Sequence, residues 1–290
     1  MIPVIDLFAG PGGLGEGFSS LRDAENRPVF QTIMSIERDK QAHQTLRLRS
    51  YLRKIAEPDG TLPRVYLRYM KKHDNETFDQ LIRYRPKEWQ AACEEALCDE
   101  LVDGDDRLVK LGAERVTRWF EDRDRGPLVL IGGPPCQAYS LVGRSRRKHD
   151  ITFEEDPKHT LYRCYLSFIN ELKPDVFVME NVKGLLSAKH EGHGVFNRIC
   201  KDMEEAGYTI HSLVTDDPHN PKDYVVKAEQ YGIPQMRHRV ILLGIKNDTG
   251  IEPSTLTKKH VCTLGSALRG LPKLRSGFSE RNENWRDMNW

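Results

Sequence analysis

The sequence predicts an α/β fold built on a mainly parallel sheet, and three observations carry the prediction. Short apolar runs recur at residues 2–8, 29–36, 128–131, 175–182 and 240–245. Most lack the polar alternation of a half-solvated strand, so they read as strands buried on both faces. Helical patterns stand between them at residues 161–172 and at 195–206, the latter closed by Gly207,. A glycine-rich turn, Gly10-Pro11-Gly12-Gly13-Leu14-Gly15, joins the first run to a helix. Parallel α/β sheets present their chemistry at the carboxyl ends of strands, so candidate functional residues are sought there.

With 290 residues the chain can bury a full core as one large domain, or as a domain with a lobe,. Its 44 Lys and Arg against 43 Asp and Glu leave +1, so global charge says nothing about nucleic acid,. The six cysteines, at 93, 98, 136, 164, 200 and 262, form no metal-ligand pair. No metal is expected, and the thiols read as reduced, as in a cytoplasm. Asp6 interrupts the first apolar run, so neither a signal peptide nor a membrane span is expected there,.

Residues 2–36 form a βαβ unit ending at Glu37, an acid about twenty residues beyond the glycines, where such units hold an adenosine ribose,. Gly10, Gly12 and Gly15 satisfy G-x-G-x-x-G, which alone suggests NAD,. Two residues pull away from that reading: Asp6 inside the strand and Phe8 at the mouth of the turn. Carboxylates and an aromatic face suit the sulfonium and amino-acid tail of S-adenosyl-L-methionine better than a pyrophosphate. A turn serving only packing is the bland alternative.

Residues 39–126 are helical and highly charged, with Arg47, Arg49, Arg53 and Lys54 in one cluster and Arg64, Arg68, Lys71 and Lys72 in another. Residues 89–101 place Trp89, Ala92, Cys93, Ala96 and Leu97 at helical spacing. Solvated helical faces are preferred here over a nucleic-acid surface, and residues 45–126 read as a helical insertion.

The strand at 128–131 runs into Gly132-Gly133-Pro134-Pro135-Cys136-Gln137. The prolines fix φ and remove N–H donors, which stiffens the approach to Cys136, as suits a positioned nucleophile. A buried, inert cysteine is the alternative. Arg144, Arg146, Arg147 and Lys148 follow in a glycine- and serine-containing loop, the type of side chain that contacts phosphates,. The next strand ends in Glu180-Asn181-Val182, a strand is read at 209–214, and Gln235-Met236-Arg237-His238-Arg239 precedes the last. Acid, thiol, acid and arginine thus collect at the ends of one sheet.

The motifs Asp6-Leu7-Phe8-Ala9-Gly10, Gly12-Gly13, Gly17-Phe18, Pro134-Pro135-Cys136-Gln137, Glu180-Asn181-Val182 and Gln235-Met236-Arg237-His238-Arg239 resemble motifs I, IV, VI and VIII of the DNA (cytosine-5)-methyltransferases. They stand in that family's order, and the resemblance covers residues 2 to about 272. It implies a Rossmann-like sheet, S-adenosyl-L-methionine as methyl donor and double-stranded DNA as substrate, in a cytoplasmic restriction-modification setting. Cys136 as thiolate would add to C6 of a flipped cytosine. Glu180, kept protonated by an enclosed pocket, would hydrogen-bond the ring N3, and Arg239, with Arg237 and Gln235, would hold the base on its O2 side. Phe8, Ala9, Gly10, Gly13, Leu14, Glu37, Pro135 and Leu161 would line the cofactor. Residues 137–158 would close behind the base, with Gln137, Ser140, Arg144, Arg146, Arg147 and Lys158 on the DNA.

Three departures accompany the resemblance. The family's aspartate before the cysteine strand has no counterpart at Leu111-Gly112-Ala113, and Asp156-Pro157-Lys158 stands where the family often has an arginine. The chain also stops where the family enters its recognition domain and motifs IX and X. The expectation is therefore a catalytic domain over residues 1–272 and a tail, 273–290, that is either a docking segment for a second polypeptide or, in a truncated form, the start of a missing recognition domain. An inactive DNA- or cofactor-binding subunit is the alternative, and an NAD-dependent dehydrogenase a distant third.

Overall fold

A computed structural model describes residues 1–57, 60–135, 161–190 and 193–271. Its centre is a sheet with strand order β3-β2-β1-β4-β5-β10-β8. In chain order these are β1 (Ile2–Leu7), β2 (Phe30–Glu37), β3 (Ala96–Cys98), β4 (Val129–Gly132), β5 (Val176–Val182), β8 (Tyr208–His211) and β10 (His238–Lys246). Strands β3, β2, β1, β4 and β5 pair in parallel. Strand β10 runs antiparallel to β5 on one side and β8 on the other. It also carries β9 (Val225–Lys227), while β6 (Lys189–His190) and β7 (His193–Gly194) make a separate ribbon.

Leaving β1, the chain builds outward to β3 and then returns to the other side of β1 as β4. Reversal of strand order beside β1 opens a crevice at the strands' carboxyl ends. The register pairs Leu7 with Gly132, so the residues after β1 and β4 emerge side by side. Only glycine allows that approach, because a Cβ on Gly132 would lie 2.5 Å from the Leu7 carbonyl oxygen,.

One face of the sheet packs on α6 (Arg107–Phe120), α7 (Leu161–Leu172) and α8 (Val195–Glu205). Ile5, Leu7, Leu130, Phe168 and Phe177 are fully buried there. Truncating an aromatic such as Phe168 to alanine typically costs about 3–5 kcal/mol, lost transfer energy plus cavity. The other face carries α1 (Gly13–Ser19), whose Leu14 and Phe18 cover Val4, Val129 and Ile131. Helices α2 (Lys40–Ile55), α3 (Arg64–Lys72), α4 (Asn75–Tyr84) and α5 (Pro86–Glu95) enclose a small second core of Tyr51, Ile55, Leu81 and Ala92.

Three local expectations change. The helical spacing over residues 89–101 is helix only to Glu95, after which Ala96–Cys98 joins the sheet as β3 beside Ser35–Glu37. The buried Glu95 carboxylate, held by Arg53 and Lys54 from α2, fixes the end of α5, and tertiary pairing overrides the 3.6-residue pattern,. The basic cluster on α2 is thus largely internal wiring, and Arg47 also lies 4.8 Å from the Trp89 ring centroid. The strand expected over 209–214 ends at His211, because the Ser212 hydroxyl oxygen accepts from the Val214 and Thr215 amides and turns the chain. The last strand begins at His238, two residues early. Among the described residues, no helix is long and apolar enough to cross a membrane.

Candidate active site

Phe8, directly after β1, adopts φ 55°, a left-handed conformation uncommon for a bulky residue and frequent at functional sites,. It borders a cavity of ≈ 1020 Å³ at the carboxyl end of the sheet, together with Glu37, Asp99, Gly133, Pro135 and Leu161. Glu37 is held firmly: Oε2 accepts from the Gly10 amide at 2.8 Å and Oε1 from the Asp39 amide at 2.7 Å. The carboxylate therefore takes up the Gly10 N–H that a pyrophosphate would need, and brings negative charge to the turn. That chemistry rejects a phosphate and suits hydroxyl or cationic groups.

Asp6 does not reach this cavity. Residues alternate along β1, so Ile5 and Leu7 enter the main core while Val4 and Asp6 face α1,. Asp6 is 1% exposed, its Oδ1 has no hydrogen-bond partner, and the Gly15 amide bonds its carboxyl. Burial pushes this carboxyl up to about 8, against the lowering pull of Arg53, with Glu37 adding to the rise. The expected contact of Asp6 with a sulfonium is replaced by a buried acid beneath the glycine turn.

Across β4, the Glu180 carboxylate is clamped at one oxygen. Arg239 Nε lies 2.7 Å and Arg237 Nη2 3.3 Å from Oε1. The antiparallel register that pairs Arg239 with Val182 brings these residues together. The other oxygen, Oε2, faces the end of β4, where a Cβ on Gly133 would stand 3.1 Å from it. Asn181 Nδ2 donates to the Pro134 carbonyl at 3.3 Å, tying β5 to the proline turn. The Glu180 side chain is 27% exposed, so the described residues alone do not enclose it.

Of the residues expected at a cofactor, Phe8, Glu37, Pro135 and Leu161 line the cavity, and Gly10 joins them through Glu37. Ala9 packs with Leu46 and Ala96, Leu14 packs under the opposite sheet face, and Gly13 opens α1. Gln235 is exposed, and its side chain makes no hydrogen bond to Glu180 among the described residues. Cys136, Gln137, Ser140, Arg144, Arg146, Arg147 and Lys158 lie outside the described residues. Burial pushes the thiols of Cys164 and Cys200 up to about 12, so both are inert at neutral pH,. Among the described residues no side chains cluster as a metal site.

Asp99 was not anticipated. It follows β3 directly, lines the cavity opposite Phe8, and Arg107 grips its carboxylate with two 2.9 Å hydrogen bonds. The acid without a counterpart at Leu111–Ala113 therefore has a candidate one strand earlier, since residues 111–113 lie within α6. Asp99-Glu100 after a short apolar triplet was the available signal, hidden inside the helical pattern.

The sequence profile of C-5 cytosine-specific DNA methylases matches residues 120–288, which include β4, Glu180 and the arginines of β10. The chain belongs to this family. Its relatives include the type II methyltransferase M.Bpa9945I of Bacillus paralicheniformis, 32% identical over 86% of this chain and 55% of that protein. The DNA-cytosine methyltransferase of Escherichia coli K12 is 27% identical over 86% of this chain and 43% of its own length. The chain thus spans about half the length of these C-5 methylase relatives. A solved E. coli prophage protein, described as a candidate DNA modification methyltransferase, shares the fold with a TM-score of 0.53 at 24% identity, over 94% of this chain and 56% of its own. Enzymes of this C-5 methylase family take their methyl group from S-adenosyl-L-methionine. The comparisons give no support to a second polypeptide, an expectation that rests on residues outside those described.

Proposed function

We propose that this chain carries the catalytic half-sites of a DNA (cytosine-5)-methyltransferase, acting on C5 of cytosine in double-stranded DNA. The observation that carries the reading is the Glu180 carboxylate, clamped at Oε1 by Arg239 and Arg237, with Oε2 turned toward the strand end that leads into Pro134-Pro135-Cys136. Residues 1–272 are taken as the catalytic unit and residues 273–290 as its tail.

The cavity fits S-adenosyl-L-methionine. Glu37 is set for ribose hydroxyls, Phe8 offers an aromatic face, Leu161 and Pro135 close the apolar side, and a phosphate is disfavoured,. Bound there, the cofactor supplies an electrophilic methyl group. Every other task falls to this chain. C5 of cytosine is a poor nucleophile, so Cys136 as thiolate adds to C6, forming an S–C6 bond and pushing electrons toward C5 and N3. Glu180, taking a proton only once the base and residues 137–158 close over it, hydrogen-bonds N3 as charge appears there. Arg239 and Arg237 hold Glu180 and reach the O2 side of the base. After the methyl group arrives, the C5 proton leaves to water, the C5–H pair becomes the C5=C6 double bond and the S–C6 pair returns to Cys136, restoring thiolate and aromatic ring. A stacked base cannot enter, so the cytosine is flipped out, with Gln137, Ser140, Arg144, Arg146, Arg147 and Lys158 on the DNA backbone.

The test is transfer of a labelled methyl group to unmodified DNA, followed by nucleoside analysis. The reading expects label in 5-methylcytosine from the wild-type protein and none from Glu180→Gln. Label on another base overturns it.

A further inference from the structure

On the far side of the arginine fork, His238 is bonded at both ring nitrogens. Lys183 Nζ lies 3.2 Å from Nδ1, and Glu229 Oε1 lies 2.7 Å from Nε2. An ammonium can only donate, so Nδ1 accepts and the ring proton sits on Nε2, pointing at the carboxylate. The three residues come from three elements. Lys183 opens the 3₁₀ turn Lys183–Ser187 after β5, Glu229 lies in the 3₁₀ turn Ala228–Tyr231, and His238 is the first residue of β10. The Glu229 carboxylate is held below the usual range by its own backbone amide first and then by His238, and among the described residues its buried Oε2 has no side-chain partner.

The placement has a consequence for the fork. Lys183 stands three residues after Glu180, and His238 stands between Arg237 and Arg239. The side chains just before β10 are largely exposed, Met236 by 83%, and the stretch is held by backbone bonds such as the Ala228 amide donating to the Arg237 carbonyl at 3.0 Å. An arginine side chain has many rotamers, so its aim depends on how firmly its backbone is fixed. His238 is the first anchored side chain of that strand, and Lys183 ties it to the strand that bears Glu180.

We propose that Lys183, His238 and Glu229 form a positioning relay that fixes Arg237 and Arg239 on Glu180, and that the relay opens when His238 takes a second proton. A doubly protonated ring has an N–H on Nδ1 facing the Lys183 ammonium, donor against donor, while its pairing with Glu229 strengthens. The charged groups facing His238 are Lys183 after β5, Glu229 before β10 and Lys227 across β9, with Arg239 Nη1 donating to the His238 carbonyl. Lys183 leaves on protonation, and the two strand ends keep their sheet pairing but lose this side-chain tie.

The proposal rests on reading Glu180 and Arg239 as catalytic, so the test has two arms. Nitrogen-15 spectra of the full chain report the His238 tautomer without any catalysis. Expected is the Nε2–H form in wild type and a tautomer mixture in Lys183→Met, a change at an exposed side chain that leaves the fold intact. A mixture or an Nδ1–H form in wild type overturns the relay. The second arm measures adduct formation on a duplex bearing 5-fluorocytosine across pH. Expected is a rate in Lys183→Met slower by on the order of tenfold, without the acid limb of wild type, and recovery of both in Lys183→Arg. Wild-type rate and pH profile in Lys183→Met overturn the relay. Absence of any adduct in wild type refutes the catalytic reading instead, and the tautomer spectrum still decides the relay.

Discussion

The Glu37 carboxylate and the Gly10 amide are joined by a 2.8 Å hydrogen bond beside the cavity at the carboxyl end of the sheet. The bond links the acid at the end of β2 to the glycine turn after β1, and sets what the turn can accept. Glu37→Ala is expected to weaken S-adenosyl-L-methionine binding by about tenfold or more, since hydrogen bonds to a charged group are worth about 1.5–3 kcal/mol each. Calorimetric titration checks this, with NAD binding more weakly than S-adenosyl-L-methionine to the wild type. Tighter NAD binding reverses the assignment.

Cys98 gives a second handle on the same cavity. It is an exposed free thiol that lines the cavity beside Asp99. Saturating S-adenosyl-L-methionine is expected to slow its alkylation several-fold while Cys93, away from the cavity, reacts at an unchanged rate. Mass mapping of the alkylated peptides reads both sites at once. Equal alkylation of Cys98 with and without the cofactor places the ligand elsewhere.

Asp6 makes a prediction about stability and pH. Its carboxyl sits at about 8 in the folded chain, raised first by burial, against an ordinary value of 3.8. Below about pH 4 both states are protonated and nothing is lost. Between about 4 and 8 the unfolded chain ionises while the folded one keeps its proton, so this contribution falls as pH rises. Asp6→Asn is expected to raise the melting temperature at pH 8 and to lose that advantage toward pH 4. A less stable Asp6→Asn at pH 8 shows instead that an ionised Asp6 is favoured by Arg53.

The readable parts of the chain were those whose surroundings are uniform. Strands β1 and β4 are buried on both faces, so their apolar runs show directly in the sequence, and α7 has the expected ends at Leu161 and Leu172. Glu180 and Arg239 were legible through their motifs, and the structure places their side chains 2.7 Å apart. Strand β3 was hidden because three residues that complete a sheet edge also continue the helical spacing of α5. Asp99 was lost with it. The orientation of Asp6 was hidden for a different reason: alternation tells which residues share a face, and only packing tells which face meets α1. His238 and Glu229 came together through turns that no local pattern announces.

The central claim, that Cys136 attacks the base under the Glu180–Arg239 fork, is tested most directly by trapping. A duplex carrying 5-fluorocytosine cannot lose a proton at C5, so a methylated covalent adduct accumulates and can be mapped by peptide mass. The expected result with S-adenosyl-L-methionine present is an adduct on Cys136, absent in Cys136→Ala and slowed by about a hundredfold or more in Arg239→Ala. An adduct on another residue, or continued methylation by Cys136→Ala, contradicts the account.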